Sequence, residues 1–422
     1  MGLDTAAIER EGTKSHRSAF PYYLVLVYLF FEYGRPQALF TPLEVLHLPA
    51  IITVLLAGAL AQVNRLFQRT RQTTIFIALF VLMAFHIPTA TNNYWAFHIT
   101  RAMLITFVSY LGIVVFVNSI KRFNTLISVW IVIHIYLAIT GIIKGGRGVG
   151  GFVGDENDLC LVLNMAAPFT LFLALNETNK SRKILYSALT LLLFAAVVAT
   201  SSRGGFVGLA SLGGYCWWRS RKKVVLLIGI ATLTGFMFLV APSAYWDEIA
   251  SIRTSTEEGD TGEARLYTWK VTWAMFLDNP IVGVGQGNLP FVFREYEIAT
   301  DNEQGLRGRS FSGRAAHSLY FTLLPEWGIV GTLLFGWMAW RTYKDATFLS
   351  RARIPSAGVN DKITTWGSAM EGSLIAYFVT GVFISVLYYP CFWTLMGFIG
   401  ALKNIVISEQ IQAQRQVARQ SA

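Results

Sequence analysis

Charge is what this sequence has least of. Only 14% of its 422 residues are Asp, Glu, Lys or Arg, against 54% hydrophobic, and the mean hydropathy is +0.47. Soluble domains carry about 25% charged residues. A deficit spread along the whole chain excludes an ordinary water-soluble fold and points to a polytopic membrane protein. Cysteine is also scarce. Cys160, Cys216 and Cys391 lie inside apolar runs without metal-ligand spacing or a disulfide pattern, so they read as small packing residues. No internal repeat or low-complexity tract is present. The polar segment up to Ala19 precedes an apolar run without an A-x-A-like cleavage site, which reads as a retained first span.

Long apolar runs are what the sequence does have. A membrane-crossing helix needs about 20 mostly apolar residues. The sequence predicts an all-α integral membrane protein of about twelve spans, near 20–33, 48–62, 73–88, 98–118, 124–143, 158–175, 184–201, 204–218, 224–241, 316–340, 368–387 and 390–407. The expected order is a segment 1–19, spans one to nine over 20–241, a large loop over 242–315, spans ten to twelve over 316–407, and a tail 408–422. If the spans alternate, most short-loop cations share one side, among them Arg65, Lys121, Lys180, Arg219, Lys222, Arg341 and Lys403. The positive-inside rule makes that side cytoplasmic, with both termini inside and the large loop outside. The net charge of +10 therefore reads as orientation and not as nucleic-acid binding.

Cations on the outer side run against the insertion bias, so they are candidates for function. They are Lys144, Arg147, Arg203, Arg253, Arg265, Lys270, Arg294, Arg307, Arg309 and Arg314, joined by His317. Clustered guanidiniums suit a phosphate, which they grip through forked hydrogen bonds; the plainer reading is solvated loop charge. Arg203 stands alone between two uncharged runs, in SSRGG. The glycine-rich GGRGVGGFVGDEND (Gly145 to Asp158) ends in Asp155, Glu156, Asn157 and Asp158, which could bind a hard metal but read better as one cap of the following helix with acids favouring its N-terminus. GVGQGN (Gly283 to Asn288) lacks the spacing of a dinucleotide loop and reads as a tight turn after a helix over Ala264 to Leu277. His317 could accept a proton near neutral pH. Glu326, just after the helix-kinking Pro325, is either functional or a structural hydrogen-bond acceptor.

Four stretches in this order resemble the O-antigen ligase/polymerase family: GFVGDENDLCLVLNMAAP, SSRGGFVGL, GEARLYTWKVTWAMFLDNPIVGVGQGN and AHSLYFTLLPEWGIVG. The likeness covers roughly Gly150 to Gly331. It implies a GT-C-type membrane glycosyltransferase, metal-independent and without cofactor, in the bacterial inner membrane with its active site facing the periplasm. The implied donor is a glycan on undecaprenyl pyrophosphate. The implied acceptor is a hydroxyl of lipid A–core in a ligase, or a second carrier-linked repeat in a polymerase. No nucleotide or nucleic acid is expected as a partner; membrane lipids are. The implied site has Arg203 and His317 as catalytic residues, with Arg203, Arg265 and Arg147 holding the pyrophosphate. Arg309, Arg314, Glu326 and Asp155 are further candidates. HSLY, where ligases often show an asparagine after the histidine, loosens the choice of subfamily. Ligase is the favoured reading and polymerase the alternative. A lipid-linked glycan transporter is a third, though a transporter usually shows matched broken helices in two halves.

Overall fold

The computed structural model describes residues 19–63, 70–220, 223–224, 227, 231, 235, 261–301, 310–352 and 357–421. Among them every regular element is helical. Hydrocarbon offers no partner to a backbone amide, so helices, which bond internally, are the economical solution for so apolar a chain. Most start where the sequence supplies a polar cap. The side chains of Thr70, Asn92, Ser119, Asp155, Asn179, Ser202 and Ser318 each accept an N–H from the turn they precede.

In chain order, α1 is Phe20–Leu29, α2 Leu48–Ala61, α3 Arg71–Thr89, α4 Asn93–Phe116, α5 Ile120–Ile143 and α6 Glu156–Asn176. Then come α7 Lys180–Ala199, α8 Arg203–Arg219, α9 Thr261–Asp278, α10 Leu289–Asp301, α11 Leu319–Ser350, α12 Ala357–Thr380 and α13 Pro390–Ser421. Among the described residues, eight helices are long and apolar enough to cross a membrane, which marks a multi-pass membrane protein. The expected span at 20–33 is α1 running into a π-helical turn, Phe30–Gly34. The one at 204–218 falls on α8; the one at 368–387 overlaps α12 only as far as Thr380, where a 3-10 turn, Gly381–Phe383, takes over; the one at 224–241 lies almost wholly outside the described residues.

Helix α6 is the centre of the bundle. It is buried on nearly every face and packs against α5, α7, α8 and α12. Helices α2 and α7 instead turn Val54, Leu55, Ile184 and Leu191 outward, as lipid-facing surface requires.

Helix α11 is broken part-way. Pro325 removes an amide, and Gly328 takes φ 58° and ψ −163°, outside helical geometry. The segment after α9 fills the break. Val284 N–H donates to Pro325 O at 2.8 Å, Gly285 N–H to Glu326 O at 3.0 Å, and Ile329 N–H to Pro280 O at 2.8 Å. The GVGQGN turn therefore tucks into the bundle, backbone to backbone. Gln286 at its tip is fully buried, donating to Met83 O, Ala96 O and Thr100 Oγ1 on α3 and α4. Irregular backbone is tolerated at such depth only when protein covers it.

Candidate active site

Three helices, α6, α8 and α11, begin at or near one cavity of about 370 Å³, and α9 flanks it with Ala264, Arg265 and Thr268. Its lining includes Asp155, Arg203, Arg265, Arg314 and His317, which come from four separate stretches of the chain. Helix N-termini carry partial positive charge and unpaired amides, so their convergence favours an anion there before any side chain is counted.

Arg203 is the first residue of α8. Ser202 caps that helix, its Oγ accepting Gly205 N–H at 3.1 Å. The preceding residue, Ser201, sits at φ 51°, a left-handed conformation rare outside glycine, and it makes the corner sharp. The glycines after Arg203 serve close packing. A Cβ on Gly205 would meet Cys160 Sγ at 1.8 Å, so α8 lies directly on α6. Arg203 is half-buried at this joint.

Asp155 does what its position suggested. It caps α6, accepting Asn157 N–H at 2.8 Å. The glycine loop before it is folded against the end of α7: Gly146 stands at φ 94°, and a Cβ there would lie 2.3 Å from Ala199 O.

Trp269 fixes the approach of α9. Its indole donates to Ala316 O at 2.9 Å and its ring stacks on Phe321 at 4.9 Å. Arg265 is one turn earlier on the same face, which sets it at the cavity beside the start of α11. Ser318 caps α11, and His317, just before it, is the second non-glycine cavity residue with left-handed backbone, at φ 47°. Such conformations cost energy and concentrate at functional sites. Arg314 lies over the Phe311 ring at 4.9 Å, and Phe311 itself is tied to α10 through its N–H to Glu297 at 2.7 Å.

The imidazole of His317 is held below the usual histidine range. Partial burial is the main cause, Arg265 the next, and Arg314 contributes in the same direction; Asp155 opposes them. The ring is therefore neutral at neutral pH and able to take a proton.

The other expected residues fall elsewhere. Arg147 is at the rim and largely exposed, 3.7 Å from Glu156, a residue of the cavity wall. Lys144, Lys270 and Arg294 do not line the cavity. Arg253, Arg307 and Arg309 lie outside the described residues. Glu326 is buried in the break of α11, away from the cavity, where it accepts Gly287 N–H at 2.9 Å, Leu289 N–H at 3.1 Å and the Tyr388 hydroxyl. These bonds make it an anchor for the inserted turn. Asn157, Ser202 and Thr268 also line the cavity; the sequence offered Asn157 only as one of four metal-ligand candidates and gave Ser202 and Thr268 no substrate role. Small polar residues at helix starts, such as Asn157 and Ser202, are too common there to stand out, and Thr268, inside α9, donates to Ala264 O as many helical threonines do.

Residues 188–336 match the family model described as O-Antigen ligase. The chain is also similar to the teichuronic acid biosynthesis protein TuaE of Bacillus subtilis (strain 168), at 23% identity over 330 residues. That alignment covers 70% of this chain and 63% of the relative, so the chain spans less than two-thirds of the relative's length. The matched family segment contains Arg203, Arg265, Arg314 and His317, while Asp155 precedes it. The chain thus carries, over residues 188–336, the domain of the O-antigen ligase family.

Proposed function

We propose that this protein is a membrane glycosyltransferase of cell-surface polysaccharide synthesis, specifically an O-antigen ligase. It would move a glycan from undecaprenyl pyrophosphate to a hydroxyl of lipid A–core on the periplasmic face of the inner membrane. The observation that carries this reading is the gathering of three arginines and one neutral histidine, from distant stretches, at a cavity where helices begin. A pyrophosphate is the anion such a site suits, since guanidinium forks and helix N-termini both answer to phosphate oxygens.

The chemistry follows from the placement. Arg203 and Arg265, half-buried, hold the pyrophosphate, and Arg314 at the mouth adds charge. Arg147 at the rim can join them by leaving Glu156. His317 accepts the proton of the acceptor hydroxyl as that oxygen attacks the anomeric carbon. The bond from that carbon to the pyrophosphate oxygen breaks on the opposite face, which inverts the linkage. The departing oxygen's negative charge is met by the arginines already in place. Asp155, close enough to favour the charged imidazole, steadies His317 once it holds the proton. The proton then passes to water.

The likeness to a teichuronic acid biosynthesis protein favours a second reading of the same chemistry, in which the acceptor is the end of another carrier-linked chain. Purified protein supplied with labelled carrier-linked glycan tests both. Label on lipid A–core supports the ligase, and lengthened carrier-linked chains support the polymerase. Label that crosses a vesicle membrane without transfer to either acceptor overturns both in favour of a transporter.

A further inference from the structure

Arg203 occupies the first position of α8, so the aim of its guanidinium depends on how the Ser202 corner is held. The Ser202 hydroxyl has two partners. It accepts Gly205 N–H at 3.1 Å, and it donates to Asn157 Oδ1 at 2.7 Å, across to α6. Asn157 is held in turn by Asp155, whose Oδ1 accepts the Asn157 backbone N–H at 2.8 Å and its Nδ2 at 3.0 Å.

The direction of this chain is forced. A carboxylate only accepts, so Asp155 must face the amide nitrogen of Asn157. That leaves Oδ1 for Ser202, whose hydroxyl must then donate to it and keep its lone pairs for Gly205 N–H. Two helical turns further along α6, Asn164 Nδ2 donates to Gly205 O at 2.9 Å. Two asparagines seven residues apart thus seat the first turn of α8 on one face of α6. Only Asn157 reaches the corner that carries Arg203, and it lies in the cavity wall.

We propose that Asn157 is a positioning residue for the transfer, acting through Ser202 to hold the start of α8 so that Arg203 meets the pyrophosphate. This rests on the reading of Arg203 given above. Three predictions separate it from a merely structural role and from direct contact with substrate. Removing Asn157 weakens pyrophosphate binding without lowering thermal stability by more than a few degrees. Removing Asn157 and Ser202 together costs no more than removing either, because both act along one path. Restoring a hydroxyl at position 202 restores the affinity.

The experiment is titration of the full-length detergent-purified protein with inorganic pyrophosphate, with donor turnover measured in parallel. N157A and S202A are each expected to lose about tenfold in affinity, and N157A/S202A the same tenfold and not a hundredfold. S202T should lie within about twofold of the unaltered protein, and if N157A fails to fold, N157L, similar in shape but without the acceptor oxygen, takes its place in the same cycle with the same expected outcomes. Additive losses would make Asn157 an independent substrate contact and overturn the proposal, as would unaltered affinity in N157A. R203A separates the two levels. If R203A binds pyrophosphate normally, the reading of Arg203 falls and this proposal with it. If R203A loses binding while N157A keeps it, only the role of Asn157 falls.

Discussion

The two ends of the helix bundle hold the same kinds of charged side chain and use them in opposite ways. Near the C-terminal end of α11, roughly 40 Å along the helix path from His317, Lys403 meets Asp345 at 2.6 Å while Gln72 donates to the other oxygen of that carboxylate at 2.7 Å. Nearby, Glu371 takes Arg219 at 3.4 Å and the Tyr215 hydroxyl at 2.7 Å, and Arg219 also donates to Ser350. These groups close on one another and tie α3, α8, α11, α12 and α13 together. At the His317 end, Arg203, Arg265 and Arg314 stand around a cavity. The contrast is one of volume: at the clasped end the charges fill the space between helices, and at the cavity end Arg203, Arg265, Arg314, Asp155 and Glu156 line open space that can admit a substrate.

Breaking each end should therefore have different consequences. The largest effect is expected from H317A or R203A, each of which should lower transfer by about a thousandfold or more with expression intact, measured as label reaching the acceptor. R265K, which keeps the charge and loses the fork, should cost about tenfold to a hundredfold in the same assay. At the clasped end the sign of the outcome changes. D345A strands Lys403 in a largely buried setting, so it should cost about 3 kcal/mol of stability by thermal or denaturant unfolding while transfer per folded molecule stays near normal. A loss of transfer with no loss of stability there would erase the distinction between the ends.

The smallest effect sharpens the comparison. His317 is held below its usual value of about 6.5, so activity needs the neutral ring and should be lost as pH falls through that lowered value. R314Q removes a cation that pushes the ring down, and should move the acid limb of the pH–rate profile up by a few tenths of a unit. D155N removes the opposing charge and should move it further down. The same limb in all three proteins would detach His317 from the rate.

Much of this was legible in the sequence because membranes make charge conspicuous. Arg203 interrupts a long uncharged stretch, and His317 opens an apolar run beside several arginines. Arg265 stood among the outer cations, the resemblance gave it a role, and the structure brings all three to one cavity. What stayed hidden depends on contacts between distant residues. GVGQGN is a turn by local pattern, yet only the packing shows it inserted beside the broken α11, with Gln286 bonded to helices about 190 to 200 residues earlier. Glu326 invited a functional reading for its depth, and the structure gives it two backbone amides and a tyrosine hydroxyl. Asn157 and Ser202 are 45 residues apart and ordinary in isolation; their bond appears only when α6 and α8 meet.

The central claim is that this cavity passes a glycan from a pyrophosphate carrier to a hydroxyl. Its most direct test is single-turnover transfer of labelled glycan from undecaprenyl pyrophosphate to lipid A–core, comparing the purified protein with R203A and H317A. The account predicts rapid labelling of the acceptor by the unaltered protein and almost none by either variant. Wild-type transfer by R203A would contradict it.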